Sequence, residues 1–177
     1  KNFIDLFIFF CILVISFNQP KFCQNVAWKS SATTFADSST VGSNPYSLFI
    51  NTNNTVYIAD IQNQKIQIWS NGNVNPTKTI NVGGSSLRSF FVTSDGDIYF
   101  YYSLNSNKRI DKFTMNANIS VNVMFVGDDC FSLFVDINNN LYCSMQYSHK
   151  VISKSLNIST NTSIIVAGNG SYGQASN

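Results

Sequence analysis

The chain's only histidine, His149, and its nine acidic residues, all Asp with no Glu, are the groups that could do acid–base or metal chemistry. A metal site needs several ligands converging on one point. A lone histidine before Lys150 reads instead as an exposed polar residue at the start of a strand. Asp128-Asp129 comes closest to a calcium-ligand set, and an adjacent pair before Cys130 reads as a solvated loop. Asp95-Gly96-Asp97 reads as turn chemistry, because it lacks the later Glu of a calcium-binding loop. Nucleophilic catalysis needs a Ser or Cys beside a held base, and there is no Gly-x-Ser-x-Gly for a single histidine to serve. Val82-Gly83-Gly84-Ser85-Ser86 lacks the lysine of a phosphate-binding loop and reads as a link. The expectation is a non-catalytic protein with no cofactor and no metal.

Composition narrows the classes further. The chain has 177 residues, of which 11% are charged and 14% aromatic, and its net charge is +2. Soluble domains usually carry about a quarter charged residues, so Asn, Ser and Thr supply the polarity. With no Glu and few Lys, Ala or Leu, little favours helix. Abundant Val, Ile, Phe, Tyr and Thr broken by Asn and Gly is strand-and-turn material. That excludes a helical bundle and a disordered polyelectrolyte. Nucleic-acid binding is not expected, because Lys65, Arg109 and Lys150 recur singly and Lys108-Arg109 is the only adjacent basic pair. These cations read as solvated charge.

The elements that hold these residues repeat. Ser47-Leu48-Phe49-Ile50 … Val56-Tyr57-Ile58, Ser89-Phe90-Phe91-Val92 … Ile98-Tyr99-Phe100 and Ser132-Leu133-Phe134-Val135 … Leu141-Tyr142-Cys143 align without gaps at offsets of 42 and 43 residues. Each continues to a basic residue and a β-branched one (Lys65-Ile66, Arg109-Ile110, Lys150-Val151). Each then closes on an apolar residue and glycine (Val82-Gly83, Val126-Gly127, Ala167-Gly168). Units of about 40–45 residues with four strands each are the pattern of propeller blades. In the first unit the strands are placed at 47–51, 55–60, 65–69 and 77–82. The first two are apolar on successive residues and so need both faces buried. The third alternates, with Ile66 and Ile68 inward against Lys65 and Gln67. The fold class is therefore all-β, a partial β-propeller of four-stranded antiparallel blades behind an N-terminal signal-like segment. The segments are 1–23, signal-like; 24–43, a linker whose stretch from Asn25 to Val41 is a candidate outer strand of a closing blade; 44–84, 85–128 and 129–170, three blades; and 171–177, the start of a fourth repeat. Six blades of this size need roughly 250 residues, so the chain is expected to be the N-terminal part of a longer protein.

Leu6 to Phe17 is an apolar run of signal-peptide length, shorter than the roughly 20 residues that span a bilayer. A buried strand or a membrane anchor are the alternatives, and export is the reading preferred, with no stable membrane span in the mature chain. If the Asn138-Asn139 turn closes a hairpin, Phe134 lies opposite Cys143. Cys130 is then too far out of register for a disulfide, and Cys143 reads as a small core residue. A Cys23–Cys130 bridge is left as an alternative. Sequons for N-glycosylation occur at Asn53, Asn118, Asn157, Asn161 and Asn169, all in expected turns, loops or element ends, at a number that chance alone would produce in so Asn-rich a chain.

Asn44-Pro45-Tyr46-Ser47-Leu48-Phe49-Ile50, Val56-Tyr57-Ile58-Ala59-Asp60 and Asn63-Gln64-Lys65-Ile66 resemble the NHL repeat of six-bladed propellers. The resemblance covers residues 40–177 and is best in the first blade; Tyr102 and Met145 stand where it has Asp60. It implies that Asp60 and Asn63 structure an inter-strand turn, beside Tyr57, Tyr99 and Tyr142 as repeat positions. It also implies a secreted or cell-surface scaffold that binds a protein, peptide or glycan by its loops. The alternatives it carries are an amidating-lyase or lactonase type of enzyme completed by a further C-terminal part, and an intracellular protein linked to ubiquitin ligation or RNA. A RING would need more Cys and His than the chain has. Fusing residues 1–24 to a reporter is expected to export it; retention of the reporter inside the cell would refute the leader reading.

Overall fold

A computed structural model of the chain describes residue 18 and residues 27–83, 87–160 and 162–173. The leader-like run, Cys23 with its alternative bridge, and the Asn161 sequon lie outside these residues. Among the described residues, twelve strands form three four-stranded antiparallel sheets, each a meander in chain order. The first sheet holds β1 (Pro45–Ile50), β2 (Val56–Asp60), β3 (Lys65–Trp69) and β4 (Lys78–Asn81). The second holds β5 (Phe90–Val92), β6 (Ile98–Leu104), β7 (Asn107–Thr114) and β8 (Ile119–Phe125). The third holds β9 (Cys130–Val135), β10 (Asn140–Met145), β11 (Lys150–Ser155) and β12 (Ile164–Ala167). Each sheet is one copy of the repeat and is called a blade below. The first strands β1, β5 and β9 approach one another, so they lie innermost.

The same turn joins the first two strands of every blade. Asn51, Thr93 and Asp136 begin it; each donates its amide to the carbonyl of Thr55, Asp97 and Asn140 respectively, and each accepts at its own carbonyl from the amide of Asn54, Gly96 and Asn139. The fourth residue takes positive φ: Asn54 at 57°, Gly96 at 83° and Asn139 at 59°. Asn and Gly tolerate that region, which explains the Asn and Gly punctuation of the repeat. The Asn51 and Asp136 side chains accept from turn amides, and Thr93 donates its hydroxyl to the Asp97 carbonyl.

This register places a phenylalanine opposite each repeat tyrosine. Phe49 pairs with Tyr57, Phe91 with Tyr99 and Phe134 with Tyr142. Ring centroids then run Tyr57–Phe49 at 6.2 Å, Phe49–Phe91 at 5.3 Å, Phe91–Phe134 at 5.2 Å and Phe134–Tyr142 at 6.3 Å. The first three pairs meet edge to face and the last is tilted, at separations that aromatic pairs prefer. Around this line a single apolar cluster runs through all three blades, from Phe49 and Ile68 through Phe100 and Met124 to Leu141 and Ile152.

Several expectations need correction. Cys130 and Cys143 form a disulfide, with Cα atoms 5.6 Å apart and both residues fully buried. The turn closes between Asp136 and Asn140, so Tyr142, not Cys143, faces Phe134. Pairing then skips Phe131, passing from Ser132↔Ser144 to Cys130↔Met145. This bulge brings Cys130 onto the diagonal from Cys143, within ordinary disulfide reach. The third strand does not alternate in burial, for Gln67 is 2% exposed. It shares a strand face with the buried Trp69, away from the Ile66 and Ile68 that face blade two. The innermost strand of blade one is not buried on both faces, since Leu48 stays 62% exposed. No strand is found between Ala27 and Ser43, the described part of the expected closing-blade strand. That stretch instead carries a one-turn helix, α1 (Ser38–Val41), whose N-cap Asp37 accepts from the Ser39 amide. Phe35 packs its ring on Trp69 at 5.7 Å, and Val41 joins Ile58 and Trp69 in a small second cluster. The stretch thus packs on the Ile58 and Trp69 side of blade one.

Truncating the ring that joins all three blades, Phe91→Ala, is expected to cost about 3–5 kcal/mol in urea unfolding. Leu48→Ala on the exposed face should stay within about 0.5 kcal/mol. Equal effects of the two would refute the aromatic line as the centre of the core.

Candidate functional site

The two ends of the blades are built differently. At the end away from the repeat turns, charged groups tie blade two to blade three. Lys108 pairs with Asp129 at 2.9 Å and Asp128 at 3.4 Å, and Arg88 with Asp129 at 3.1 Å. Tyr101 donates its hydroxyl to Asp129 at 2.8 Å, and Ser148 donates to Asp128 at 2.6 Å. The expected solvated Asp128-Asp129 loop is thus a part-buried joint, because its carboxylates meet a lysine and an arginine that blade two positions. Arg109 is not simply solvated either: its Nε pairs with Asp111 at 2.8 Å, and its guanidinium lies 4.1 Å from the Tyr102 ring centroid. His149 does not begin β11; it ends the β10–β11 turn at φ 47°, with its ring 5.1 Å from that of Tyr172. Gly168 lies beneath it at φ 77°, where an added Cβ would strike the His149 carbonyl.

The electrostatics of the joint follow from these contacts. Burial raises the carboxyls of Asp128 and Asp129, yet their hydrogen bonds and Lys108 outweigh it and hold both below the usual value. For Asp128 the Ser148 hydroxyl leads; for Asp129 the Lys108 ammonium leads. Burial, then the hydrogen bond to Asp129, pushes the Tyr101 phenol up to about 12. The hydrogen bond to Asp129 raises Lys108.

At the repeat-turn end a cleft of about 460 Å³ opens between blades two and three. Its walls are the turns Thr93–Asp97 and Asp136–Asn140 and the residues after β11, with Phe91 and Tyr99 toward its floor. β6–β7 register puts Lys112 beside Tyr99, where its ammonium meets Asp97 at 2.5 Å and lies 5.8 Å from the Tyr99 ring centroid. That hydrogen bond raises the Lys112 ammonium, and burial raises the Tyr99 phenol. Across the cleft Asp136 accepts from the Asn140 amide and from Tyr142 Oη at 3.0 Å. Burial would raise its carboxyl, but these bonds hold it low. Asn157 donates to the Asn138 carbonyl at 3.1 Å and accepts from Asn139 at 3.3 Å. Asn18 also lines the cleft. Such a wall of amides, carboxylates and hydroxyls over an aromatic floor suits recognition through hydrogen bonds.

Of the residues singled out from sequence, Tyr99 lines the cleft and Tyr142 braces its wall, whereas Tyr57 stays in blade one. Asp60 and Asn63 meet at the opposite end of blade one, where Asp60 accepts from the Asn63 amide at 3.1 Å and its side chain at 2.7 Å. An added Cβ on Gly42, at φ 73°, would lie 2.8 Å from the Asp60 carboxylate oxygens. Asn53 and Asn118 lie exposed in turns, and Asn157 and Asn169 are exposed near strand ends. Sequence reasoning missed Lys112, Asp136 and Asn18, and took Asp97 only as turn chemistry. The first-residue spacing of Asn51, Thr93 and Asp136 was visible as a signal; the Lys112–Asp97 pair requires the strand register. Among the described residues no three His, Cys or Asp side chains converge as a metal site.

Comparison with solved structures places this architecture among six-bladed β-propellers. Nidogen in its laminin complex is similar at a TM-score of 0.54 and 14% identity, over 64% of this chain and 44% of that one. The hydrazine synthase of Kuenenia stuttgartiensis gives 0.59 and 12%, over 80% and 40%. Virginiamycin B lyase from Staphylococcus aureus gives 0.54 and 13%, over 72% and 43%. The chain thus spans less than half the length of these relatives. At such identities the likeness is one of fold. No protein-family model and no curated protein matches the chain.

A carboxyl held low in the folded chain adds stability above its ordinary value near 3.8 and loses it as pH falls through the depressed range. The raised Lys108 and Tyr101 lose theirs as pH rises past about 10. Stability is therefore expected to be flat between these limits and to fall outside them. Asp129→Asn should cost about 1 kcal/mol at neutral pH and shallow the acid limb. An unchanged acid limb in pH-dependent thermal melts would refute the joint.

Proposed function

We propose that the chain is the propeller part of a secreted or cell-surface binding scaffold of NHL type, recognising a protein, peptide or glycan through the turn-end cleft. The observation that carries this reading is how the carboxylates are used. Asp60, Asp97, Asp111, Asp128, Asp129 and Asp136 each hold a turn or an ion pair. Of these, Asp97 and Asp136 lie in the turns that wall the cleft, where they stiffen the loops that a ligand would meet, and stiff loops lose less entropy on binding. The Cys130–Cys143 disulfide supports an oxidising compartment, in keeping with export and with sequons such as Asn53 and Asn118. Among the described residues no helix is long and apolar enough to cross a membrane. Nidogen, similar to this chain in fold, was solved in complex with laminin.

An enzyme is the second reading, favoured by the likeness to virginiamycin B lyase; its reacting groups would come from further blades. The two separate in one experiment. The intact protein is offered to arrays of extracellular proteins, peptides and glycans, alongside rim variants Asp95→Arg and Ile137→Asp. Both rim residues are exposed at the cleft. Capture that falls about tenfold in the variants, at unchanged melting temperature, is expected. Capture indifferent to both, or turnover of a streptogramin by the intact protein, would overturn the scaffold reading.

A further inference from the structure

The outer strand of a blade ends its sheet, and such a free edge is a template for any other strand that meets it. Among the described residues β4, β8 and β12 are the outer strands of the three blades, and they differ. β4 carries Lys78, exposes Thr79 and Asn81, and buries its isoleucine, Ile80. β8 exposes Ile119, Val121 and Phe125, and β12 exposes Ile164, Ile165 and Val166. Neither of these two strands has a lysine, an arginine or a proline, and charge and proline are the usual guards of an edge. Bulges at Val123 and Val166 interrupt their hydrogen-bonding pattern, but a bulge covers no side chain.

Sequons mark the same two strands. Asn118-Ile119-Ser120 opens β8, and Asn169-Gly170-Ser171 follows β12. Beside β4 the one stretch with that spacing, Asn75-Pro76-Thr77, is closed by its proline. Asn118 and Asn169 are both exposed. The Asn118 backbone amide donates to the Thr114 carbonyl at 2.8 Å, and Asn169 Oδ1 accepts from the Ser171 amide at 2.9 Å. Neither bond uses the side-chain Nδ2 that a glycan takes. We propose that Asn118 and Asn169 are N-glycosylated and that their glycans cover the apolar outer edges of blades two and three. In the transfer, Nδ2 loses a proton and bonds to the anomeric carbon of a lipid-diphosphate oligosaccharide. The bond from that carbon to the diphosphate oxygen breaks, and the lipid diphosphate leaves. A bulky, hydrated chain at the end of each strand then keeps other strands away from it. This goes beyond the scaffold reading and rests only on the export that reading includes.

The full chain is secreted from a eukaryotic cell line, and its peptides are weighed before and after treatment with a peptide N-glycosidase. Glycan on both Asn118 and Asn169 is expected; an exported chain bare at either position overturns the proposal. The folded, secreted protein is next trimmed to single N-acetylglucosamine residues with an endoglycosidase and followed by sedimentation. Trimming, or loss of both acceptor motifs in Ser120→Ala with Ser171→Ala, is expected to tighten self-association about tenfold. Adding Val121→Lys and Ile164→Lys is expected to reverse it. Trimmed protein that stays as dispersed as the glycosylated form, or association that the lysines leave unchanged, overturns the proposal. Trimming acts on a chain already folded, so it decides the matter even where a substituted chain is not secreted. A chain that is not exported overturns the proposal and the scaffold reading together. An exported chain bare at both positions, whose Asp95 and Ile137 variants still lose partner capture, removes the glycans and leaves the scaffold reading standing.

Discussion

Everything described here depends on one line of rings. Phe49, Phe91 and Phe134 come from the innermost strand of each blade, and each touches the next blade or the tyrosine across its own sheet. A four-stranded sheet of this size cannot bury both faces alone, so a blade is stable only against its neighbours. The aromatic contacts are where that dependence is concentrated. Phe91, between the other two, is 5% exposed, whereas Phe134 at the end of the line is 37% exposed. Phe49, at the other end, is 6% exposed, so the line opens to solvent at blade three alone.

The same logic separates the two ends of the molecule. At the repeat turns, short backbone-capped loops hold polar side chains over an aromatic floor, and a cleft results. At the other end a network of Arg88, Lys108, Asp128, Asp129 and Tyr101 closes the seam. The disulfide lies beside that seam, anchoring β9 to β10 at the bulge. Ser89, the residue before β5, reinforces it by donating to the Cys130 carbonyl at 3.1 Å. Rigidity at one end and open polar walls at the other are the arrangement a recognition module needs, since loops on a stiff frame present their groups without reordering.

How far the sequence could be read depended on whether a feature was local or relational. The 42- and 43-residue offsets were legible because a repeated unit writes its period into the chain. Strand β3 was placed at its observed bounds, Lys65–Trp69, since a β-branched run between turn residues is a local signal. The Cys130–Cys143 bond was not legible because the hairpin register differs by one residue from the one its Asn138-Asn139 pair suggests, and because Phe131 bulges out of the pairing. Register has a period of two, so one residue of slip changes every cross-strand neighbour. Alternation normally marks one wet face and so points Gln67 to solvent, but in blade one both faces of that strand are covered.

By itself the sequence determined an all-β chain, three copies of a four-stranded unit, and the turn residues that join their strands. Those follow from propensity, spacing and left-handed tolerance, which act within a few residues of one another. Only the tertiary structure decided which charges meet across the seam, which cysteines bond, that the stretch before β1 folds onto its own blade, and that Asn18 reaches two blades. These are contacts between residues far apart in sequence, and their energies depend on distance and burial that no local pattern encodes.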